Sequence, residues 1–296
     1  MHGRSRPVTG ARLERSCSGT DVRRRELRLA RFAEGPGVEG SQVALTGEAY
    51  APHRHDTYGI GLTLAGVQSF RYRGVQRHCL PGQYHLLHPD ELHDGAPGTE
   101  AGFVYRIFHV EPALIQAALG GGSLPFALEP VMSALGLGGE IIALRNGIDE
   151  PFDDLVQTEL IADIARALIA ASNGSRPARG SLCWPALRRV REALLSLGDT
   201  RLPMAQLEAI AGIDRWRLAR QFRAAYGTSL GRYQTLRRLD RVRQDLRAGI
   251  PPAGAAVTAG FADQSHMARH FKRAYGLTPA RWQKAFAPSG APRTLP

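Results

Sequence analysis

Three histidines in the first third of the chain have a spacing that could hold a metal ion. His53 and His55 are separated by one residue, so on a strand both rings lie on the same face of a sheet. His93 could approach them from a neighbouring strand, and three imidazoles with an open fourth position form a zinc or iron site. A metal held in this way would polarise a substrate or activate water.

Other patterns that would indicate an enzyme are missing from the sequence. It contains no glycine-rich nucleotide loop, no G-x-S-x-G nucleophile motif and no zinc-protease helix. The three cysteines, Cys17, Cys79 and Cys183, are far apart, which indicates reduced thiols in an intracellular protein. No apolar run is long enough to span a membrane. We therefore expect no enzymatic activity and no cofactor.

A nine-residue segment near the C-terminus occurs twice. ARQFRAAYG at 219–227 recurs as ARHFKRAYG at 268–276, with six of nine positions identical and an offset of 49 residues. Each copy follows a short apolar segment, then a glycine (Gly212 or Gly260) and an aspartate that can cap the next helix. Helix, tight turn and second helix make a helix-turn-helix unit. One copy alone could equally be an ordinary helical hairpin, but two in register favour a DNA-binding domain.

The outer faces of the two second helices carry side chains that suit DNA. If Leu218, Phe222, Met267 and Phe271 pack inward, mostly polar and cationic residues face outward. Such residues can contact base edges or phosphates in a major groove. A long helix over 230–246 would hold the two units at a fixed separation, suited to successive major grooves. The predicted DNA-contacting residues are Arg215, Trp216, Arg217, Arg220, Gln221, Gln264, Ser265, His266, Arg269 and His270.

The charge distribution supports a polyanionic partner for the C-terminal part alone. Residues 181–296 contain 20 Lys and Arg against 7 Asp and Glu, whereas residues 32–180 contain 9 against 17. A general preference for arginine does not explain this change of sign. An RNA-binding or architectural protein is disfavoured, because it would need neither paired turn and the basic segment has no aromatic platform.

The spacing of apolar residues indicates the elements that position these groups. Short alternating runs at 60–64, 69–73, 83–87 and 103–108, separated by Gly and Pro, predict an antiparallel meander or barrel. From about residue 150 the period becomes helical, and Leu155, Leu160, Ile164 and Leu168 form a stripe for a dimer contact or for packing on the chain's own barrel. We expect a disordered basic N-terminus (1–31), a sensor and dimerisation domain (32–171), a linker (172–184), a DNA-binding domain (185–286) and a flexible tail (287–296).

The chain resembles the AraC/XylS-type transcription regulators. Residues 185–286 are similar to their DNA-binding domain, and 260–279 match the signature segment over its whole length, although Trp216 and its flanking arginines are atypical of the first unit. Residues 40–112 resemble the N-terminal domain through His53-Arg-His55, Tyr58, Gly66, Phe70-Arg-Tyr72, Pro81-Gly82, Pro89, His93-Asp-Gly95 and Tyr105. The resemblance implies an α+β protein with a cupin-like antiparallel β-barrel followed by helices, and an all-α C-terminal domain with two helix-turn-helix units.

The same resemblance implies a cytoplasmic regulator or activator that binds promoter DNA under the control of a small-molecule effector in the barrel. A homodimer is expected, and RNA polymerase is a further candidate partner. The predicted effector-binding residues are His53, His55, Tyr58, Phe70, Tyr72, Tyr84, His93 and Tyr105. Metal-binding cupins add a carboxylate a few residues after H-x-H, and Asp56 is too close for that spacing, so we expect no metal at His53, His55 and His93. The alternative is a metal-dependent cupin enzyme fused to a DNA-binding domain.

Overall fold

The computed structural model describes residues 27–47, 49–121, 124–148, 152–172, 182–196 and 201–285. Residues 27–172 form the N-terminal domain and residues 182–285 the C-terminal domain. The predicted tail, most of the predicted linker and residues 1–26 lie outside the described residues. Residues 27–31 are a correction to the predicted disordered N-terminus, because the first strand begins at Leu27 and pairs with the second through a turn at Gly37 (φ 75°).

Two antiparallel sheets make up most of the N-terminal domain. The larger sheet has the strand order β1-β2-β9-β4-β7-β10 and the smaller one β3-β8-β5-β6. These sheets are not joined into one closed surface, so the predicted barrel is a pair of sheets with a cavity between them. The strands are β1 (Leu27–Gly35), β2 (Val38–Leu45), β3 (Tyr50–His53), β4 (Tyr58–Gly66), β5 (Gln68–Tyr72), β6 (Val75–Cys79), β7 (Tyr84–Leu87), β8 (His93–Pro97), β9 (Phe103–Val110) and β10 (Val131–Met132).

Helices cover the outer face of the larger sheet. These are α1 (Pro112–Ala118), α2 (Ile142–Asn146) and α3 (Asp154–Ala171), with a short 3₁₀ helix at Leu135–Leu137. Leu160, Ile164 and Leu168 of α3 are buried in the core that this domain forms for itself, whereas Leu155 is exposed. The predicted stripe therefore packs on its own domain, and three of its four residues are not accessible for a dimer contact.

Seven helices form the C-terminal domain, as far as the described residues extend. They are α4 (Trp184–Ser196), α5 (Met204–Ala211), α6 (Arg215–Tyr226), α7 (Leu230–Arg247), α8 (Pro252–Thr258), α9 (Gln264–Tyr275) and α10 (Pro279–Ala285). Helices α4–α6 enclose one apolar core and α8–α10 a second, and α7 contributes to both. The long connecting helix and the two predicted helix-turn-helix units, α5–α6 and α8–α9, are confirmed.

The predicted caps explain where the second helix of each unit starts and stops. The carboxylate of Asp214 accepts hydrogen bonds from the backbone N–H groups of Trp216 and Arg217, and Asp263 accepts one from His266. Both helices end at a glycine with left-handed backbone, Gly227 and Gly276. None of the helices in the described part of the chain combines the length and apolar character needed to cross a lipid bilayer.

Candidate functional site

A cavity of about 350 Å³ lies between the two sheets and is bordered by helices of the C-terminal domain. This volume is within the ~300–1,000 Å³ range of small-molecule sites. The sheets contribute aromatic, aliphatic and histidine side chains, and α7, α9 and α10 contribute the opposite wall. The lining residues on which the argument below depends are Glu39, His53, His55, Asp56, Phe70, His85, His93, Phe103, Tyr105, His109, Glu111, Arg237, Asp240, Arg243, Arg247, Tyr275 and Trp282.

Five of the eight predicted ligand-binding residues line this cavity: His53, His55, Phe70, His93 and Tyr105. Tyr58, Tyr72 and Tyr84 do not, which corrects the prediction. Tyr58 and Tyr84 lie on the opposite face of the larger sheet, packed against the helices. The hydroxyl of Tyr58 donates to the Pro125 carbonyl, and that of Tyr84 accepts from the Ile141 N–H. Tyr72 is at the far end of its strand, and its hydroxyl oxygen lies 3.0 Å from His88 Nδ1.

Two cavity histidines, His85 and His109, were missed by the sequence reasoning. Because side chains alternate across a strand, placing Tyr84 in the helix-covered core turns His85 toward the cavity. In the same way, burial of Phe108 and Val110 against the helices turns His109 inward. The available signal was a histidine between apolar residues, at Tyr84-His85-Leu86 and at Phe108-His109-Val110.

Three of the cavity histidines are held in fixed orientations by hydrogen bonds from Nδ1. Nδ1 of His53, His55 and His93 lies 2.9–3.0 Å from the backbone carbonyl of Ala51, Thr57 and Glu91, respectively. A carbonyl can only accept, so Nδ1 carries the proton in each ring and Nε2 keeps its lone pair. Nε2 of His55 is buried without a hydrogen-bond partner. These rings can therefore accept hydrogen bonds from a molecule in the cavity.

The histidine cluster does not match a metal site. The ring centroids of His53, His55 and His93 are 4.3–6.3 Å apart, so the structure brings the three predicted residues together. However, no three His, Cys, Asp or Glu side chains among the described residues are arranged to hold a metal ion. Asp56, the carboxylate next to His55, is instead bound by Arg237.

Burial keeps these imidazoles neutral. It lowers the pKa of His53 to about 4, and that of His109 to about 4 although Glu39 opposes the shift. Burial and the nearby His109 lower the pKa of His85 to about 3. Burial and the neighbouring histidines lower the pKa values of His55 and His93 well below the usual 6.5. The cavity thus contains several uncharged hydrogen-bonding groups.

Arginines of α7 form buried ion pairs with the N-terminal domain, which we call the α7 ion pairs. Arg237 bonds to Asp56 at 2.9 Å and to Glu111 at 3.0 Å. Glu39 receives both Arg243, at 2.5 Å, and Arg247, at 2.9 Å. Every side chain in these pairs is less than one-fifth exposed. The acidic and basic parts of the sequence therefore meet at this interface.

At Glu39 and Arg237 the ion pairs overcome the cost of burying a charge. Burial opposes ionisation of Glu39, yet Arg243 and Arg247 together lower its pKa to about 2. Burial likewise disfavours the charged form of Arg237, but Asp240, Asp56 and Glu111 raise its pKa well above the ordinary value. Glu39 and Arg237 are therefore charged when the domains are in contact, whereas burial raises the pKa of Asp56 in spite of the neighbouring Arg237.

Main-chain hydrogen bonds join β3 to the end of α9. The N–H of Ala51 donates to the Gly276 carbonyl at 3.2 Å, and that of Arg54 donates to the Arg273 carbonyl at 3.1 Å. Gly276 has φ 70°, and a Cβ there would lie 2.8 Å from His53 Nδ1. Only glycine fits both the left-handed conformation and this close approach. The second helix-turn-helix unit is thus bound directly to a strand that borders the cavity.

Most of the predicted DNA-contacting residues lie on the outside of α6 and α9. Arg215, Trp216, Arg217 and Arg220 are exposed on α6, and Gln264, Ser265 and Arg269 are exposed on α9. His266 and His270 are half-buried, with their Nε2 atoms 3.1 Å apart. Arg215 is paired with Glu208 at 2.9 Å.

Gln221 does not lie on the predicted outward face of α6, which corrects the prediction. It is half-buried, and its side-chain oxygen accepts a hydrogen bond from the Cys183 N–H at the start of α4. The helical turn that places Arg217 and Arg220 outward rotates Gln221 toward its neighbouring helix. Its side chain therefore joins two helices of the C-terminal domain.

The chain matches known proteins along most of its length. Residues 35–182 match the family model of the AraC-like ligand binding domain, and residues 207–285 match that of a helix-turn-helix domain. It is 26% identical over 226 residues to the HTH-type transcriptional regulator YbfI of Bacillus subtilis, covering 74% of this chain and 82% of YbfI.

Among solved structures, ToxT from Vibrio cholerae has a similar fold. It superposes with a TM-score of 0.61 and 9% sequence identity, covering 86% of this chain and all of the ToxT chain. ToxT with a bound unsaturated fatty acid gives a TM-score of 0.59 and 12% identity, covering 84% of this chain and 95% of that one.

Proposed function

The chain belongs to the AraC-type family of transcription regulators, and from this membership we propose that a small molecule in the shared cavity controls how it binds DNA. The N-terminal domain is a ligand-binding domain and the C-terminal domain a helix-turn-helix DNA-binding domain. The proposed division between them falls between the end of α3 and the start of α4. Because the proposed binding partner is promoter DNA, we place the protein in the cytoplasm. We assign it no enzymatic activity.

One observation carries this proposal: both domains form the wall of the cavity. His85 and Tyr105 come from the larger sheet, whereas Arg237, Tyr275 and Trp282 come from α7, α9 and α10. A ligand in contact with both domains binds the docked arrangement with a different affinity from an undocked one. That difference is the only means by which a ligand can change DNA binding.

The DNA-reading surface consists of the exposed faces of α6 and α9. Arg217 and Arg220 extend from the first unit and Arg269 from the second. Arg215 contributes less to this surface in our proposal, because Glu208 already neutralises it. A homodimer and a contact with RNA polymerase remain predictions, and the exposed Leu155 is the only part of the predicted α3 stripe that could serve the former.

The first experiment selects genomic DNA fragments on the full-length chain at two salt concentrations and sequences those retained. A motif with two parts in adjacent major grooves is expected, since α7 joins the two units as one helix. Retention that depends only on salt, with no motif, would contradict sequence-specific recognition.

The second experiment measures binding to the selected site with and without cavity ligands. A ligand should change the affinity for DNA in the original chain by about 5–150-fold, the usual range of coupling between sites. Arg166→Ala, which removes an exposed arginine paired with Asp163 on α3, is a matched control that should retain both DNA and ligand binding. Ligands that bind the cavity without any change in DNA binding would contradict the proposed control.

A further inference from the structure

We propose that the cavity is built for an uncharged organic molecule with an apolar, largely flat body and a group that both donates and accepts hydrogen bonds, and that it excludes carboxylates. This inference rests on the proposed function, because it names the chemical class of the effector. Three features of the cavity support it: the pairing of its arginines, the unsatisfied nitrogens of its histidines and the aromatic side chains of its walls.

The terminal nitrogens of the cavity arginines are already engaged by carboxylates, which leaves Nε of Arg237 and Arg243 as their donors without a hydrogen bond. Six carboxylates and three guanidinium groups line it. Arg237 is bound by Asp56, Glu111 and Asp240. Arg243 and Arg247 are both bound by Glu39, and each has a second carboxylate within 4 Å. A carboxylate ligand would lose its hydration and meet an excess of like charges, so its binding is disfavoured.

The histidines do not supply a positive charge in place of the arginines. His53, His85 and His109 lie in the cavity wall, and burial keeps their pKa values at about 3 to 4. At neutral pH each ring has one N–H and one lone pair; His53 donates its N–H to the Ala51 carbonyl and offers a ligand the lone pair, whereas both nitrogens of His85 are without a partner. Their chemistry matches a hydroxyl or amide group better than an anion.

His85 is the strongest sign of a missing partner. Its side chain is 1% exposed, and neither ring nitrogen has a hydrogen-bond partner in the protein. The ring lies over Gly61 of the adjacent strand, where a Cβ would come within 2.2 Å of it. A buried imidazole without partners is costly, and a ligand that donates to one nitrogen and accepts from the other removes that cost. The unpartnered Nε2 of His55 provides a further acceptor.

The aromatic side chains in the walls of the cavity determine the shape and polarity of the rest of the ligand. Phe103 and Tyr105 stack with their ring centroids 5.4 Å apart and an interplanar angle of 17°. Phe70 and Tyr105 are the ring neighbours of His85, at 6.1 and 5.5 Å. Trp282 closes the opposite side from α10. These surfaces suit a flat, apolar body that carries its polar group toward His85.

The test is a fragment screen on the full-length protein by ligand-observed NMR. The library holds equal numbers of uncharged compounds, carboxylates and amines, matched in size and in aromatic body. Uncharged compounds should make up most of the fragments that bind, and their affinity should fall about tenfold in His85→Phe but stay within about threefold in His85→Gln. The glutamine keeps a donor and an acceptor, and thermal melting confirms that both variants are folded.

Two results would overturn the inference. One is that carboxylates bind the cavity as often or as tightly as the uncharged compounds. The other is that no fragment of any class binds in a manner sensitive to His85→Phe, because a site built for such ligands must bind some of them.

A second variant inverts the expected selectivity. Glu39→Gln leaves Arg243 and Arg247 without their shared carboxylate, so carboxylate fragments should gain about tenfold in affinity. Asp240→Asn is an independent variant with the same expected direction if Glu39→Gln does not fold. Glu129→Gln removes an exposed glutamate paired with Arg77, neither of which lines the cavity, and should change nothing. Unchanged carboxylate affinity in both cavity variants would contradict the charge argument.

The outcomes also separate this inference from the proposed function. If uncharged ligands bind but do not change DNA binding, the ligand class is correct and the proposed control is wrong. If carboxylates bind the cavity and change DNA binding, the control is correct and the ligand class is wrong.

Discussion

Replacing Arg237 with methionine tests whether the α7 ion pairs hold the two domains together. Methionine fills much of the same volume but leaves Asp56, which is 6% exposed, without a cation. Glu111 keeps Arg191 at 2.5 Å and Asp240 keeps Arg243 at 3.7 Å, so Asp56 is the carboxylate that loses its ion-pair partner. Removing one partner of a buried pair costs about 3–5 kcal/mol, and we take the lower figure for this site.

A loss of about 3 kcal/mol corresponds to a change of roughly 150-fold in the equilibrium between docked and undocked domains. Hydrogen exchange at the backbone amides of Ala51 and Arg54 reports this directly, because both donate across the interface to α9. Their protection should fall by about two orders of magnitude. Amides of β9, which lies between β2 and β4, such as that of Ile107, serve as the control and should keep their protection.

The double variant Asp56→Asn with Arg237→Met removes both charges and should restore most of the protection. This result is expected because the cost arises from the unpaired carboxylate and not from the absence of the pair. Unchanged exchange in Arg237→Met would refute the role of the ion pair in docking. An equal loss of protection at Ile107 would show that the substitution unfolds the whole domain, which would equally refute it.

Three further predictions concern the DNA-reading surface, the buried histidines and Gly276. Arg220→Ala and Arg269→Ala should each weaken binding to the selected DNA site; a uniform loss with a salt slope lower by about one identifies a phosphate contact, relaxed specificity a base contact, and unchanged affinity in both variants contradicts the assigned face. The free energy of unfolding should fall as the pH drops from 6.5 toward 4, by about 1.4 kcal/mol per pH unit for each buried histidine, because the unfolded chain binds protons at the usual pKa of 6.5 and the folded chain near 3 to 4. Chemical denaturation should show that the free energy of unfolding depends less steeply on pH in His85→Gln, and an identical dependence would contradict the contribution of that ring. Gly276→Ala should destabilise the protein more than Gly212→Ala, which has the same left-handed backbone but no atom closer than 3.9 Å to the new methyl group; about 1–2 kcal/mol is expected for the control, and equal losses in thermal melting would contradict the close contact with His53.

The C-terminal domain could be predicted closely from the sequence because its signals are local. A capping aspartate, an apolar pair four residues apart and a terminal glycine occur within one short segment, and they occur twice. Gln221 departed from the prediction because its position near the edge of the apolar face is decided by the neighbouring helix α4. No pattern within α6 contains that information.

The cavity could be predicted only in part. The alternating pattern of β7 identifies two faces but not which of them is covered by helices, so Tyr84 was assigned to the cavity in place of His85. The wall formed by α7, α9 and α10 depends on docking between segments more than a hundred residues apart. In the sequence its arginines count only toward the positive charge of residues 181–296, whereas Arg237 and Arg243 are buried against carboxylates of the other domain.

The bonds between β3 and α9 also bear on how such proteins can be recombined. They use main-chain atoms alone, so any two domains with these backbones can form them, provided that a glycine stands at position 276. The α7 ion pairs, by contrast, depend on matched side chains from both domains. In a chimera that exchanges the ligand-binding domain, we expect the new domain to dock but to leave charged side chains at the interface without matching partners. Compatibility between the halves would then be set by six residues that must be exchanged as one unit: Glu39, Asp56, Glu111, Arg237, Arg243 and Arg247.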